Sequence, residues 1–215
     1  MLVLITGTSG GIGRAAAEFF LAKGHLVHGM DIADSDLRHE GYVHHIADVT
    51  DPDTWPVLAP EVLVNCAGVQ NSGNDIEVNL KGVIQVTERY ALENDRIRSV
   101  VNVGSASAHT GSEFPEYAAS KGGIATYTRN VAIRLAPRAI CNSVDPGGVM
   151  TELNRHVMDD PSLWEQIMEL TPLKRWASPE EIAEWIWFVA VRNRFMTGQN
   201  LLIDGGEAGD FHFVW

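Results

Sequence analysis

Short runs rich in β-branched residues alternate along the chain with longer segments in which apolar residues repeat at helical spacing. This alternation is typical of βαβ units on a parallel sheet. The runs are nearly continuous in apolar residues, as expected for strands covered on both faces. The sequence therefore predicts an α/β fold, a doubly wound parallel sheet of about seven strands with helices on both faces. The predicted strands are residues 2–5, 25–30, 43–47, 62–66, 99–104, 139–144 and 200–203.

Several helices have recognisable ends. The apolar residues of 12–20 recur at helical spacing, and Lys23 and Gly24 supply a basic charge and a flexible residue where this helix should end. A second helix is expected over about 179–191, because the stretch from Ser178 to Glu181 combines a hydroxyl cap, a proline and a carboxylate three residues later. Further helices are predicted near 76–94 and 116–135.

Composition narrows the class of protein. The 215 residues, of which 45% are hydrophobic and 20% charged, suit a single domain spanning 1–215, since no linker or repeat divides them. No apolar run is long enough for a membrane helix, and the first strand lacks the basic flank of a signal peptide, so a cytoplasmic location is expected. The net charge of −12 disfavours nucleic acid as a partner.

The cysteines and histidines do not form a ligand pattern. Cys66 and Cys141 lie in apolar runs and are expected to be free thiols, with neither a disulfide framework nor a metal site. His44 and His45 should point to opposite faces of a strand. His109 lies shortly after Ser105, where it could line a substrate site or cap a loop, and the loop position is favoured.

A glycine-rich turn follows the first strand directly and opens the first helix. Its residues, Thr6-Gly7-Thr8-Ser9-Gly10-Gly11-Ile12-Gly13, let the backbone bring main-chain N–H groups against a pyrophosphate at a helix N-terminus. The alternative is an ordinary glycine-rich connection. The position between a strand and an amphipathic helix favours a dinucleotide site and a Rossmann-like fold.

An acidic residue stands at the end of the second strand. Asp31 comes eighteen positions after Gly13, where a carboxylate can accept both ribose hydroxyls of the adenosine half of a dinucleotide. It would repel the 2′-phosphate of NADP, and no basic residue follows directly, so NAD is the expected cofactor. A solvated loop aspartate is the alternative.

Tyr117 and Lys121 are four residues apart near the start of a helix and therefore project from one face. A nearby ammonium favours the phenolate, which allows a tyrosine to exchange a proton with a substrate oxygen. Taken alone, the pair could equally be a solvated helix face.

Six groups of residues occur in the order found in short-chain dehydrogenases/reductases, and the chain resembles that family from the first strand to Asp204-Gly205-Gly206. The groups are Thr6-Gly7-x-x-x-Gly11-x-Gly13, Asn65-Cys66-Ala67-Gly68, Asn79, Ser105, Tyr117-Ala118-Ala119-Ser120-Lys121 and Asp145-Pro146-Gly147.

The resemblance implies a catalytic tetrad. Tyr117 would be the acid/base, Ser105 would hold the substrate oxygen, and Lys121 would bind the nicotinamide ribose while lowering the pKa of Tyr117. Asn79 would hold a water through which a proton passes from Lys121 to solvent. Ser107 would be the active hydroxyl if Ser105 were a simple turn serine. The position of Ser105 just past a strand favours Ser105, although its spacing to Tyr117 is about one residue shorter than in the family.

The resemblance also implies the contacts of a bound NAD. Asp48 and Val49 would meet the adenine, and Pro146, Gly147, Val149 and Thr151 would seat the nicotinamide amide. The other expected cofactor residues are Gly7, Ser9, Gly10, Gly11, Ile12, Gly13, Asp31, Ile32, Asn65, Ala67, Gly68, Tyr117 and Lys121.

Two segments are shorter than the family pattern. Three prolines between 52 and 60 permit one or two helical turns where a crossover helix is expected, and only eleven positions separate Gly68 from Asn79. The segment 152–170, which mixes polar and apolar residues after Thr151, is a predicted substrate lid, with a packed surface helix as the alternative.

Two helices are expected to pair across a two-fold axis and give a homodimer or homotetramer, because they carry apolar residues beyond those needed to cover the sheet. These residues are Ile84, Val86, Tyr90, Ile124, Tyr127 and Val131.

The preferred function is an NAD-dependent oxidoreductase that interconverts a small-molecule secondary alcohol and a ketone. The alternatives are a 3-oxoacyl thioester reductase, which Asp31 and the net charge disfavour, and a non-catalytic dinucleotide-binding sensor, which would need neither Tyr117 nor Lys121.

Overall fold

All seven predicted strands are present in one parallel sheet, in a computed structural model that describes residues 1–112 and 114–209. Glu113 and residues 210–215, which belong to the predicted domain, lie outside the described residues. The strands are β1 (Leu2–Thr6), β2 (Leu26–Asp31), β3 (Tyr42–Ile46), β4 (Val62–Asn65), β5 (Ser99–Val103), β6 (Ile140–Pro146) and β7 (Asn200–Ile203).

The strand order is β3-β2-β1-β4-β5-β6-β7, with every neighbouring pair parallel. The chain moves outward from β1 to β3 and then returns to the other side of β1. A crevice therefore opens between β1 and β4 at the carboxyl ends of the strands, which is where open α/β sheets bind ligands.

Helices cover both faces of the sheet, as predicted. They are α1 (Gly11–Ala22), α2 (Val83–Thr87), α3 (Ser107–Thr110), α4 (Pro115–Leu135), α5 (Arg155–Met158), α6 (Pro161–Leu170) and α7 (Pro179–Trp187). The helix expected near 76–94 is α2 with the π-helical segments Ile76–Gly82 and Glu88–Leu92 at its ends, and α7 continues into Phe188–Arg192 in the same way.

The core lies in two layers. On one face of the sheet, Phe20 of α1 and Ile186 of α7 are fully buried and pack on the residues of β1 and β5 that point to that face. On the other face, Tyr90 and Leu135 pack over Leu63 of β4. Burying apolar side chains on both faces is the main term that stabilises such a sheet.

The two shortened segments are as small as the prolines and turn residues predict. A single 3-10 turn, Pro52–Thr54, replaces the crossover helix between β3 and β4. In the second segment, the buried carboxylate of Asp75 accepts hydrogen bonds from the backbone N–H groups of Asn71 and Ser72, at 2.9 Å each. These bonds order the segment without a helix.

The prediction that six apolar residues of the helices near 76–94 and 116–135 form a self-association surface is largely wrong. Val86, Tyr90, Ile124 and Val131 are buried within the chain. Val86, Tyr90 and Val131 belong to one of the two core layers. Ile84 and Tyr127 are half-buried and fit the expectation better.

No helix in the described part of the chain is both long enough and apolar enough to cross a membrane. Of the two free cysteines, Cys141 is buried and Cys66 is half-buried. His44 and His45 do point to opposite faces: His44 contacts the hydroxyl of Tyr42, and His45 contacts His28.

Candidate active site

The glycine-rich turn joins β1 to α1 at the centre of the crevice. Gly7 and Gly11 have positive φ values of 77° and 52°. A Cβ on Gly13 would lie 2.1 Å from the carbonyl oxygen of Gly7, so a side chain there would push the helix away from the turn. Gly10 precedes the helix, and no side chain caps the first turn of α1, so its N–H groups can take an anion.

Thr6 connects the turn to the neighbouring strand, a role that the sequence did not reveal. Its buried hydroxyl oxygen accepts hydrogen bonds from the backbone N–H groups of Cys66 and Ala67, at 3.0 Å each. A Cβ on Gly7 would lie 2.8 Å from the backbone of Ala67. The predicted residues Ala67 and Gly68 therefore form a wall directly beside the glycine turn.

Asp31 lies at the end of β2, where its carboxylate faces the turn. One carboxylate oxygen accepts from the N–H of Ser9 at 2.9 Å, and the other accepts from the N–H of Ala33 at 3.0 Å. The Ser9 hydroxyl donates to the carbonyl of Ala33 at 2.9 Å. These bonds hold the carboxylate in place and leave lone pairs on both oxygens for further donors. Ile12 is half-buried near the turn, and Ile32 is 72% exposed.

Few side chains surround the predicted adenine site. Asp48 accepts hydrogen bonds from the backbone and hydroxyl of Thr50, and Val49 packs on Gly82. The side chain of Asn65 is turned into the interior, where its amide donates to Thr87 and to Asn102, at 2.8 Å each. Only the backbone of Asn65 is therefore placed to border a ligand.

Ser105 and Ser107 follow β5, and their hydroxyl oxygens lie 2.9 Å apart. The Ser105 oxygen also accepts from the backbone N–H of Ser107 at 3.1 Å. Both residues are buried. The two hydroxyls thus form one hydrogen-bonded unit. The sequence leaves open which of the two, Ser105 or Ser107, contacts a substrate.

Tyr117 and Lys121 lie in the first turns of α4, on one face as their spacing predicts. The ammonium nitrogen Nζ of Lys121 lies 5.6 Å from the centre of the Tyr117 ring. It also donates to the carbonyl oxygen of Val103 at 3.0 Å, which fixes it at the end of β5. Lys121 is buried, and Tyr117 is half-buried. A buried cation beside a phenol stabilises the phenolate.

Asn79 lies in the segment before α2 and is fully buried. Its side-chain amide bonds twice to the backbone of Val69, at 2.8 Å each, and also donates to the hydroxyl of Ser120 at 3.2 Å. The nearby Lys121 Nζ is 3.8 Å from the position of a Cβ on Gly68, and Asn79 Oδ1 is 3.2 Å from the same position. Asn79 therefore lies close to Lys121, as the predicted tetrad requires.

The segment after β6 borders the glycine turn. A Cβ on Gly11 would lie 3.4 Å from a side-chain carbon of Thr151, so the two predicted cofactor segments meet. Pro146 and Val149 are buried, and Val149 pairs with Ala177 in an isolated bridge. Gly147 packs so closely on Asp204 that a Cβ would lie 2.8 Å from its backbone.

His109 and Asp145 form a pair that the sequence did not predict. His109 lies in α3 and not in the expected loop, and its Nε2 is 2.6 Å from a carboxylate oxygen of Asp145. Asp145 is 1% exposed. Burial raises the pKa of the Asp145 carboxyl, against the opposing effects of the Ser143 hydroxyl, His109 and Lys121. Two separate sequence motifs supply these residues, so neither motif alone signals the contact.

The segment 152–170 contains no buried residue among its nineteen positions. It is held mainly at its ends: Asn154 donates to the carbonyl of Val149 at 2.9 Å, and Thr171 donates to Glu207 at 2.9 Å. Trp164 makes an edge contact with Trp176, with ring centres 5.0 Å apart. Within residues 1–112 and 114–209, no three His, Cys, Asp or Glu side chains are grouped to hold a metal ion.

Known proteins are similar to this chain over nearly its whole length. A family model described as enoyl-(acyl carrier protein) reductase matches residues 7–207. Glucose 1-dehydrogenase of Gluconobacter oxydans is 33% identical, over 99% of this chain and 94% of that protein.

Two solved structures are also similar. Ligand-free aldohexose dehydrogenase of Thermoplasma acidophilum is 29% identical with a TM-score of 0.86, covering 100% of this chain and 96% of that one. A 4-hydroxyisoleucine dehydrogenase complexed with NADH is 25% identical with a TM-score of 0.89, covering 98% and 99%. With a family model over residues 7–207 and a 33% identical relative over almost its full length, this chain belongs to the short-chain dehydrogenases/reductases and is an oxidoreductase.

Proposed function

We propose that the protein is an NAD(H)-dependent oxidoreductase that interconverts a secondary alcohol and a ketone, with Tyr117 as the acid/base. The observation that carries this proposal is the buried Lys121 ammonium, fixed on β5 with its nitrogen 5.6 Å from the Tyr117 ring centre. A protein that only binds a dinucleotide needs the glycine turn but has no use for a buried cation beside a phenol. Desolvating that cation costs stability, and a role in catalysis would explain why the fold bears this cost.

The dinucleotide would lie along the crevice, and it supplies the hydride when bound. The tight turn at Gly7 and Gly13 and the free N–H groups of α1 suit a pyrophosphate. Asp31 would accept the ribose hydroxyls, and Asp48 and Val49 would border the adenine. Thr151, beside Gly11, would close the crevice at the nicotinamide end. The remaining predicted contacts follow from the same placement: Ser9, Gly10, Ile12, Ile32, Asn65, Ala67, Gly68, Pro146, Gly147 and Val149.

The proton would move through the side chains at the end of β5. In reduction of a ketone, the Tyr117 hydroxyl donates its proton to the carbonyl oxygen, while the Ser105 hydroxyl holds that oxygen by a hydrogen bond. Lys121 stabilises the phenolate that remains. Asn79, next to Lys121, would hold the water through which Tyr117 recovers a proton.

NAD is the proposed cofactor. A carboxylate at Asp31, already oriented by Ser9 and Ala33, attracts ribose hydroxyls and repels a 2′-phosphate. The neighbouring residues 32–34 carry no positive charge that could pair with that phosphate.

The segment 152–170 would act as a lid over the substrate. Its lack of buried residues allows it to move at low cost, and its half-buried Trp164 and Ile167 could cover an apolar part of a substrate. The similarity to glucose 1-dehydrogenase and aldohexose dehydrogenase supports a sugar-like substrate that carries several hydroxyl groups.

A homodimer or homotetramer is part of the proposal. Apolar side chains on the outer sides of α2 and α4 support it, since Ile84 and Tyr127 are half-buried and Ile133 is 78% exposed. Sedimentation at micromolar concentration tests this directly, and a species of only 23.6 kDa would contradict it.

The deciding experiment measures turnover with NAD and with NADP across a panel of secondary alcohols and ketones, including cyclic polyols and a 3-oxoacyl thioester. We expect turnover of an alcohol with NAD. Faster turnover of the thioester with NADPH would instead support the alternative function, a 3-oxoacyl thioester reductase. Tight dinucleotide binding without turnover of any substrate would support a sensor.

A further inference from the structure

None of the roles proposed above uses the carboxylate of Asp145, although it is almost completely buried at the carboxyl end of β6. One of its oxygens, Oδ2, lies 2.6 Å from Nε2 of His109. The other, Oδ1, has no hydrogen-bond partner among the described residues. A buried carboxylate with a free oxygen is costly for folding and needs a reason.

The backbone of β5 makes room for this carboxylate. A Cβ on Gly104 would lie 2.1 Å from Asp145 Oδ1, so the carboxylate occupies the space that a side chain at position 104 would take. Gly104 stands directly before Ser105. The carboxylate therefore lies against the backbone that carries the proposed substrate-binding hydroxyl.

The Lys121 ammonium also lies at the end of β5. Its Nζ donates to the carbonyl of Val103, the residue directly before Gly104. Ammonium and carboxylate thus approach consecutive residues at the end of β5. Among the described residues, His109 from α3 and Lys121 from α4 are the charged or titratable groups that act on Asp145.

We propose that Asp145, oriented by His109, is a positioning residue that sets how readily Tyr117 gives up its proton, by offsetting part of the positive charge of Lys121. This inference rests on the proposed role of Tyr117. A negative charge near Lys121 stabilises the buried ammonium and at the same time weakens its pull on the phenol. His109 donates its Nε2–H to Oδ2 and so keeps Oδ1 turned toward Gly104.

A spectroscopic titration of the cofactor-free protein tests this without any substrate. Ionisation of the phenol is followed by ultraviolet absorbance, and the curve of Tyr117→Phe is subtracted from that of each protein. The chain has four tyrosines, and the other three, Tyr42, Tyr90 and Tyr127, are present in both proteins and cancel in this difference. Burial also raises the pKa of Tyr90 to about 12 and that of Tyr127 still further, which separates them from the measured range. The remaining signal is that of Tyr117.

Asp145→Asn, measured against Tyr117→Phe/Asp145→Asn, is expected to lower the Tyr117 midpoint by about 0.5–1 pH unit, because a nearby negative charge is removed. The matched control is Asp95→Asn, which removes an exposed carboxylate before β5 and should leave the midpoint unchanged. Asp145→Ser replaces Asp145→Asn if the amide variant does not fold. An unchanged or raised midpoint, or an equal shift with Asp95→Asn, overturns the proposal.

The second half of the inference is tested by His109→Leu, which has no N–H to donate to Oδ2 and should lower the Tyr117 midpoint, with His109→Gln as the matched control. A wild-type midpoint in His109→Leu would overturn the role given to His109. A glutamine amide can place an N–H close to the position of Nε2, so the Tyr117 midpoint should stay within about 0.2 pH unit of the wild-type value. A shift in His109→Gln as large as that of Asp145→Asn would also overturn that role. Because these midpoints are read without turnover, an inactive enzyme would count against the proposed function and not against this inference.

Discussion

The end of β5 and the segment 152–170 are built in opposite ways. Every residue of β5 is buried, and the side chains beyond it are tied together by hydrogen bonds, as between Ser105 and Ser107. The segment 152–170 has no buried residue and is held at its two ends. Reacting groups need fixed positions, whereas the lid proposed for 152–170 would have to open and close, and the difference in burial fits the two proposed tasks.

The largest expected effect is at Lys121, whose ammonium is hydrogen-bonded to the end of β5. Lys121→Met should lower turnover by about 10²- to 10⁴-fold and weaken dinucleotide binding, because one ammonium serves both the phenol and the ribose. Steady-state kinetics and equilibrium binding measure the two effects. Lys81→Met, which removes an exposed lysine paired with Glu77, is the control. An unchanged dinucleotide dissociation constant in Lys121→Met would exclude the double role.

A smaller effect is expected at the cofactor end of the same rigid framework. Asp31→Ala should narrow the preference for NAD over NADP by about 10- to 100-fold, through the loss of about two hydrogen bonds and of charge repulsion. The ratio of kcat/KM values with the two cofactors measures it. Asp34→Ala, a nearby exposed carboxylate, should leave the ratio unchanged. Higher kcat/KM with NADP in the wild type would contradict the proposal for Asp31.

The proposed lid, residues 152–170, is tested by hydrogen exchange. Backbone amides of 152–170 should exchange quickly in the free protein and about 5- to 10-fold more slowly with cofactor and substrate both bound. Amides of β5 serve as an internal reference, since they should be protected in both states. Equal exchange of 152–170 in the two states would show that it is fixed surface structure.

The smallest effect concerns a region away from the crevice, the contact between His28 and His45, whose ring nitrogens lie 2.8 Å apart. Burial lowers the pKa of both rings from 6.5, and the neighbouring histidines lower that of His45 further. The fold thus favours the neutral rings, so their contribution to stability is present above pH 6.5 and is lost as the pH falls through the lowered values.

Because both rings are only partly buried and solvent still screens them, this loss should be below about 1 kcal/mol. Chemical unfolding at pH 7 and pH 5 measures it. His28→Gln should flatten the pH dependence, whereas His156→Gln, in an exposed part of α5, should not. A free energy of unfolding that falls equally in the wild type and in His28→Gln would remove this explanation.

The comparison also explains what the sequence could predict. The seven strands and the glycine turn were predictable because each depends on local patterns, such as a continuous apolar run or a glycine before a helix. The positions of Tyr117 and Lys121 on one face followed from helix geometry.

Contacts between distant segments were not predictable in this way. His109 and Asp145 are 36 residues apart, and the hydroxyl of Thr6 bonds to backbone groups some 60 residues away. The prediction of the self-association surface was largely wrong for a related reason. Helical spacing shows which residues share a face, but not how many of them are buried against the sheet. Tyr90 and Val131 belong to the core.

The central claim is that Tyr117 exchanges the proton during oxidation and reduction. Its most direct test is the turnover of Tyr117→Phe on an authentic substrate, with dinucleotide affinity measured on the same preparation. The account predicts a fall in turnover of about 10²- to 10⁴-fold or more with little change in dinucleotide affinity, since the ring remains and only the hydroxyl is lost. Wild-type turnover in this variant would contradict it.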